Sequence, residues 1–275
     1  MLAAGLITLR EGLEAALIVG IVLGYLKMTG RMERQRTVWW GVALAVLASI
    51  AVALGLHMVG ANFEGRGEQI FEGVVMLLAA GVLTYMIFWM MYQGRQMKSQ
   101  LETETSHAVQ AGGWALFTLA FLAVFREGIE TALFLTAAAF ASSPAEIFVG
   151  GALGLATAVL AGWVLFAASV RLDVRRFFQV TSLLLVVFAA GLVAHGINEL
   201  QQAAVLPVLV EHVWDINPIL DENSLGGSLL KTLFGYNGNP SLLEVLGYVG
   251  FFVVIWLATR SKRLSPTKPP AEMSS

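Results

Sequence analysis

The sequence predicts an all-α, polytopic membrane protein of about seven transmembrane helices, built as two inverted three-helix repeats plus a seventh helix. Three observations carry that prediction. Of the 275 residues, 57% are hydrophobic and only 13% charged, against roughly 25% charged in a soluble domain. The apolar residues fall in runs that reach the roughly 20 residues a helix needs to cross a bilayer. A charged segment inside the first run recurs inside the fourth, as an internal transporter repeat would leave it. The same composition excludes other classes. A net charge of −2 offers no basic surface to nucleic acid, and with no cysteine there is no disulfide scaffold, thiolate metal site, iron–sulfur cluster or thiol catalysis.

The spans follow in order. The first, 2–26, lacks a basic start and a small-residue cleavage pattern and carries Arg10, Glu11 and Glu14 where a signal peptide is apolar, so it reads as a retained helix. The next five cover 38–59, 70–92, 114–141, 147–170 and 177–200, each an apolar run bounded by charges or turn residues. The seventh covers 242–259. Lys27, Arg31, Arg34 and Arg36 follow the first span, Arg95 and Lys98 the third, Arg171, Arg175 and Arg176 the fifth, and Arg260, Lys262, Arg263 and Lys268 the last. Cytoplasmic loops are enriched in Lys and Arg. These four segments therefore belong inside, which puts the N-terminus outside and the C-terminus in the cytoplasm.

Residues 1–260 accordingly form one transmembrane domain, with repeat one at 1–107, repeat two at 108–200, an outer loop at 201–241 and the seventh helix at 242–260. Residues 261–275, rich in proline and serine without apolar period, read as a disordered cytoplasmic tail. The outer loop is punctuated by Pro207, Pro218, Gly226, Gly227 and the turn-rich 235–240. It also holds Glu211, His212, Asp215, Asp221 and Glu222. With no ligand spacing among them, a solvated acidic loop is the simpler reading over a cation collector.

The informative feature is the repeated motif. Arg10-Glu11-Gly12-Leu13-Glu14-Ala15-Ala16-Leu17 recurs as Arg126-Glu127-Gly128-Ile129-Glu130-Thr131-Ala132-Leu133, and Ala79-Ala80-Gly81 is echoed by Ala189-Ala190-Gly191. An odd number of spans per repeat inverts the second copy in the membrane, which brings both motifs to a similar mid-membrane depth. On each helix the two glutamates, at i and i+3, share a face, and the arginine is placed to pair with the second of them. Gly12 and Gly128 are expected to let the motif helices approach each other.

Each ionised residue at mid-membrane costs about 2.5–3.5 kcal/mol on insertion scales, so something must pair with these six. Salt bridges that merely lock the helices are one solution, but two arginines neutralise only two of four carboxylates. A cation resolves the excess. Glu11, Glu14, Glu127 and Glu130 are therefore the candidate metal ligands, with Arg10 and Arg126 orienting them. Ligands that are all oxygen favour hard ions such as Fe³⁺, Mg²⁺, Ca²⁺ or Mn²⁺.

At these two motifs the chain resembles the oxidase-dependent iron permeases, whose signature is Arg-Glu-x-x-Glu in the first and fourth transmembrane helices of a seven-helix protein. The likeness extends over nearly the whole chain, and its compact length is most similar to the bacterial inner-membrane type. The second motif has Ile129 where leucine is commoner. The resemblance implies iron as the transported substrate, with no permanent cofactor. It further implies that an extracytoplasmic iron-oxidising or iron-binding partner converts ferrous iron, and that the motif glutamates take it up as Fe³⁺. Lead-transporting members share the signature, so lead or manganese remains an alternative cargo.

Secondary candidates lie near the outer ends of spans. Glu68 and Glu72 form a possible vestibule, although a glutamate at a helix start also suits the helix dipole. His195 and Glu199, with Asn198 between them, form a possible relay, against the alternative of a satisfied buried histidine. His57 and Met58 read as packing residues, and Trp39, Trp40, Trp89, Tyr92 and Trp214 as membrane-interface belts. A membrane-bound carboxylate di-iron enzyme is the second class considered; such centres usually carry Glu-x-x-His on two helices, whereas both motifs here offer Glu-x-x-Glu. A proton-coupled carrier of an organic solute is the third.

Overall fold

The computed structural model describes residues 1–93, 97–140, 142–167, 174–222 and 224–263. Every element among them is helical. In chain order these are α1 (Leu2–Met28), α2 (Gln35–Ala61), α3 (Arg66–Gln93), α4 (Met97–Ala111), α5 (Gly113–Ala139), α6 (Pro144–Ala167), α7 (Val174–Gln202), α8 (Leu225–Phe234) and α9 (Leu242–Arg263), with a 3₁₀ turn at Met32–Arg34 leading into α2. Five segments, within Met32–Ala61, Arg66–Met90, Pro144–Val164, Gln179–Gln202 and Leu242–Arg260, are long and apolar enough to cross a membrane. α1 and α5 are equally long, 27 residues each, but every 18-residue stretch of either includes at least three charged residues.

The helices pair across the two halves of the chain. Met1 meets Glu146 at 3.0 Å, Gly5 lies under the carbonyl of Gly150, Gly12 under Ala158, and Ala16 against Gly162. Both numbers rise together, so α1 and α6 run parallel. In the same way Gly41 sits under the Phe117 carbonyl and Gly128 under Ser49, which makes α2 and α5 parallel. α3 and α7 run antiparallel: Gln69 bonds Gln202 at 3.4 Å, and Gly73 receives Gly196 and Leu200. The echoed alanines, Ala79 and Ala80 with Ala189 and Ala190, are buried on these two helices. α9 is antiparallel to α7, since Ser241 donates to Gln201 Oε1 at 2.6 Å while Gly247 meets Ile197.

Gly12 and Gly128 thus do not bring α1 and α5 together, as the sequence led us to expect. A Cβ at Gly12 would stand 2.7 Å from the Ala158 Cβ on α6, and one at Gly128 would stand 2.6 Å from the Ser49 Cβ on α2. Each glycine admits the second helix of the other half. The glutamates occupy the remaining faces.

Two helices are absent from the reading of apolar runs. α4 is polar, and its buried residues Leu101, Thr105, Ala108 and Val109 fall at i, i+4, i+7 and i+8, one helical stripe. That stripe packs on Val22 and Leu26 of α1 and on Leu116 and Ala120 of α5. Arg34 anchors its end by donating to the Val109 carbonyl at 2.7 Å. The 107/108 repeat boundary falls inside this helix. α8 lies within 201–241, the segment read from the sequence as an outer loop. Ser224 caps its start by accepting from Gly227 N at 3.0 Å, and Gly235, at φ 67°, ends it, a left-handed position that favours glycine. A Cβ at Gly235 would also collide with Gly191 on α7.

The acidic loop residues do structural work. Glu222 accepts from Gly238 N at 2.7 Å and approaches Lys231 Nζ at 3.7 Å, and Asp215 accepts from Asn217 N. At the start of α9, Ser241 and Glu244 form a reciprocal capping box, Ser241 N donating to Glu244 Oε1 at 2.9 Å and Glu244 N to Ser241 Oγ at 3.3 Å. α9 continues to Arg263, so 261–263 are helical rather than part of the tail; 264–275 lie outside the described residues. The expectation that His57 and Met58 pack inside is corrected: both are exposed, Met58 by 66%. Trp39, Trp40 and Trp214 are exposed as interface residues would be, while the Tyr92 side chain lies outside the described residues.

Candidate metal centre

The apolar interior divides into two clusters with the motifs between them. One gathers Ala3 and Ile7 of α1, Val75 to Ile87 positions of α3, Phe134, Ala137 and Ala138 of α5, and Leu185 to Leu192 positions of α7. The other gathers Val22, Leu26, Val38, Leu101, Ala108, Val109, Leu116 and Ala120. Ile7 is one turn before Glu11 and Phe134 one turn after Glu130, both fully buried. On the opposite side Ala120 and Val22 are each about two turns away. Hydrocarbon therefore closes the motif level at both ends.

Within it, Glu11, Glu14 and Glu127 each offer a carboxylate oxygen, and these atoms all lie within 4.8 Å of one another. Their residues are only 1%, 4% and 5% exposed. Glu11 and Glu14 share a face of α1 because they are three residues apart, and α5 supplies Glu127 from the facing helix at the same level. Oε2 of Glu11, Glu127 and Glu130 is buried without a hydrogen-bond partner among the described residues. When ionised, carboxylates at such spacing repel one another and lack solvation, which a cation among them would relieve. Three carboxylates make a hard, oxygen-only donor set.

The fourth glutamate stands apart. Glu130 does not join the three; its Oε1 takes Arg126 Nε at 2.9 Å. Both motif arginines pair with the glutamate four residues on, as their spacing predicts, but their surroundings differ. Arg10 is 0% exposed and bridges Glu11 at 3.1 Å and Glu14 at 3.2 Å. The Arg126 side chain is 45% exposed and lies 5.1 Å over the Trp89 ring, a cation–π geometry. Trp89 is thus a neighbour of the motif rather than part of an interface belt.

Sequence reading missed Met86 and Met90 here and placed Trp89 in an interface belt; all three lie on one stretch of α3. Arg10 Nη1 donates to Met86 Sδ at 3.3 Å and Nη2 to Met90 Sδ at 3.5 Å. Their spacing of three and four residues is the only signal available, and within an apolar span it is indistinguishable from ordinary core packing.

The secondary candidates form a separate group where α3 begins and α7 ends. Glu72 is half-buried and faces Glu199 and the exposed Glu68. Glu199 also faces Lys231 and Glu244. His195, one turn back on α7, is buried against the backbone of Lys231, and its Nε2 has no partner.

Comparison with known proteins gives the family. The description "Iron permease FTR1 family" matches residues 1–261. Ferrous iron permease EfeU of Escherichia coli O157:H7 and that of Shigella sonnei (strain Ss046) are each 40% identical over 243 residues, covering 87% of this chain and 88% of theirs. Ferrous iron permease EfeU of Yersinia pestis is 36% identical over 251 residues, covering 90% of this chain and 89% of its own. No solved structure matches the chain. Family permeases are transporters, which sets aside the di-iron enzyme reading. The chain belongs to the iron permease FTR1 family.

Proposed function

We propose that this chain carries iron across the inner membrane, with Glu11, Glu14 and Glu127 as the coordinating carboxylates and Glu130 as a further acidic group beside them. The chain is a multi-pass membrane protein and a permease, not an enzyme. The observation that carries the assignment is the buried three-carboxylate group within 4.8 Å, in a family defined by iron transport. A donor set without nitrogen or sulfur favours Fe³⁺ over softer ions. An iron-oxidising partner outside the membrane would supply that state.

α1, α2, α3, α5, α6, α7 and α9 are read as seven spans, with α1 to α3 and α5 to α7 as inverted repeats. Supporting this, the contacts come in matched pairs: Gly12 with Ala158 and Gly128 with Ser49, Gly150 with Met1 and Gly41 with Phe117. The parallel pairs α1/α6 and α2/α5 and the antiparallel pair α3/α7 are what an inverted repeat produces. Alternating access then moves one repeat against the other, opening first one apolar cluster and then the other. Glu68, Glu72 and Glu199 serve as the outer vestibule, and His195 as a relay below them.

The absence of cysteine makes the sidedness directly testable. In right-side-out vesicles, an impermeant maleimide is expected to label Ser143→Cys, between α5 and α6, and to spare Ser106→Cys on α4 until the membrane is permeabilised. The reverse pattern would invert the topology. The cargo is tested in sealed vesicles offered Fe²⁺, Fe³⁺, Mn²⁺ or Pb²⁺, each with and without an iron-oxidising enzyme on the outer face. Accumulation of iron, with Fe²⁺ uptake dependent on the oxidising enzyme, is expected. Accumulation of Mn²⁺ or Pb²⁺ without iron would overturn the assignment.

A further inference from the structure

The two motif arginines are equivalent in sequence and different in place. Arg10 is enclosed, and each terminal nitrogen has two partners, a carboxylate of α1 and a thioether of α3. Nη1 approaches Glu11 Oε1 at 3.1 Å and Met86 Sδ at 3.3 Å, and Nη2 approaches Glu14 Oε1 at 3.2 Å and Met90 Sδ at 3.5 Å. Its Nε has no partner, so the guanidinium is held through its ends alone. Arg126 has no such enclosure, with one carboxylate, one indole face and a half-exposed side chain.

Glu11 and Glu14 are two of the three clustered carboxylates. A metal ion coordinated by them would stand within a few ångströms of the guanidinium, and two cations that close in a dry interior repel strongly. The guanidinium must withdraw as the ion arrives. It is 0% exposed, so it cannot withdraw into water. Its acceptors other than the carboxylates are two thioethers of α3, uncharged and weak, which do not outcompete carboxylates but spare the cation an apolar wall. We propose that Arg10 is a tethered counter-cation that the transported metal ion displaces from Glu11 and Glu14, and that the sulfurs of Met86 and Met90 receive the displaced guanidinium. The inference rests on the proposed carboxylate site. Arg10 returning to the glutamates would then help expel the ion and keep the carboxylates neutralised afterwards. Met86 and Met90 are positioning residues in this scheme, touching Arg10 rather than the ion.

The test measures Fe³⁺ affinity of the full-length detergent-solubilised protein, with the metal supplied as its citrate complex. Met86→Leu with Met90→Leu keeps the volume and removes both acceptors. It is expected to weaken Fe³⁺ binding on the order of 10-fold, the scale of outer-shell changes at metal sites. Arg10→Gln is expected to bind Fe³⁺ more tightly than the parent, and to abolish the effect of the methionine pair. Weaker binding by Arg10→Gln, or a methionine effect that persists in its background, overturns the tethered-cation inference while leaving the site intact. Unchanged binding by Glu127→Gln instead removes the site itself. If Arg10→Gln does not fold, the methionine pair decides alone: parental Fe³⁺ affinity in that folded variant overturns the proposal.

Discussion

Glu127→Gln is expected to lower iron uptake in vesicles by at least about 100-fold while the protein still inserts at parental levels. Loss of outer-shell partners alone costs metal sites about 10–100-fold, and this change removes a coordinating oxygen charge itself. Glu127 is the cleanest of the glutamates to change, because among the described residues it has no ion pair to lose. Glu14→Gln and Glu11→Gln should abolish uptake equally but also reduce folded yield. Each takes a carboxylate from the fully buried Arg10, and breaking a buried pair typically costs about 3–5 kcal/mol. The comparison separates transport from stability: uptake normalised to folded protein should fall to background in all three. Normal uptake by Glu127→Gln with intact insertion would remove α5 from the site.

Gly128→Val is expected to prevent accumulation of folded protein. Its Cβ alone would collide with Ser49 Oγ and stand 2.6 Å from Ser49 Cβ, and Ser49 is held by its own bond to the Ala45 carbonyl at 2.8 Å. The milder Gly128→Ala should cost about 1–3 kcal/mol, the range for overpacking, and lower Tm by about 2–4 °C per kcal/mol at this chain size. Ser49→Gly in the same chain should restore it, because it removes the atoms that are struck. Gly12→Ala should behave likewise against Ala158, with Ala158→Gly as its rescue. Failure of either rescue would mean that the glycines do not seat α2 and α6 as described.

Much of the architecture was legible along the chain. Long apolar runs marked α1, α2, α3, α5, α6, α7 and α9 to within a few residues, since the length of an apolar run is a local property. The motif glutamates stood out because charge inside such a run is costly wherever the run packs. α4 escaped because a polar helix with one apolar stripe has no long run to detect. α8 escaped because ten residues between turn signals look like loop. Met86 and Met90 were invisible, and Trp89 read as an interface residue, for a different reason: apolar residues in an apolar span acquire a role only from what is placed against them.

What the sequence determined by itself was the number and length of the apolar segments, the repeated Arg-Glu-x-x-Glu, and the common face of each glutamate pair. All three follow from residue chemistry and helical period, which act over a few neighbouring residues. Only the tertiary structure decided that Glu11, Glu14 and Glu127 gather without Glu130, that Gly12 and Gly128 admit α6 and α2, and that Arg10 is enclosed by thioethers while Arg126 stays half-open. Those outcomes depend on contacts between residues roughly 50 to 150 positions apart, where close packing must satisfy every helix at once. Two identical motifs can therefore meet different surroundings.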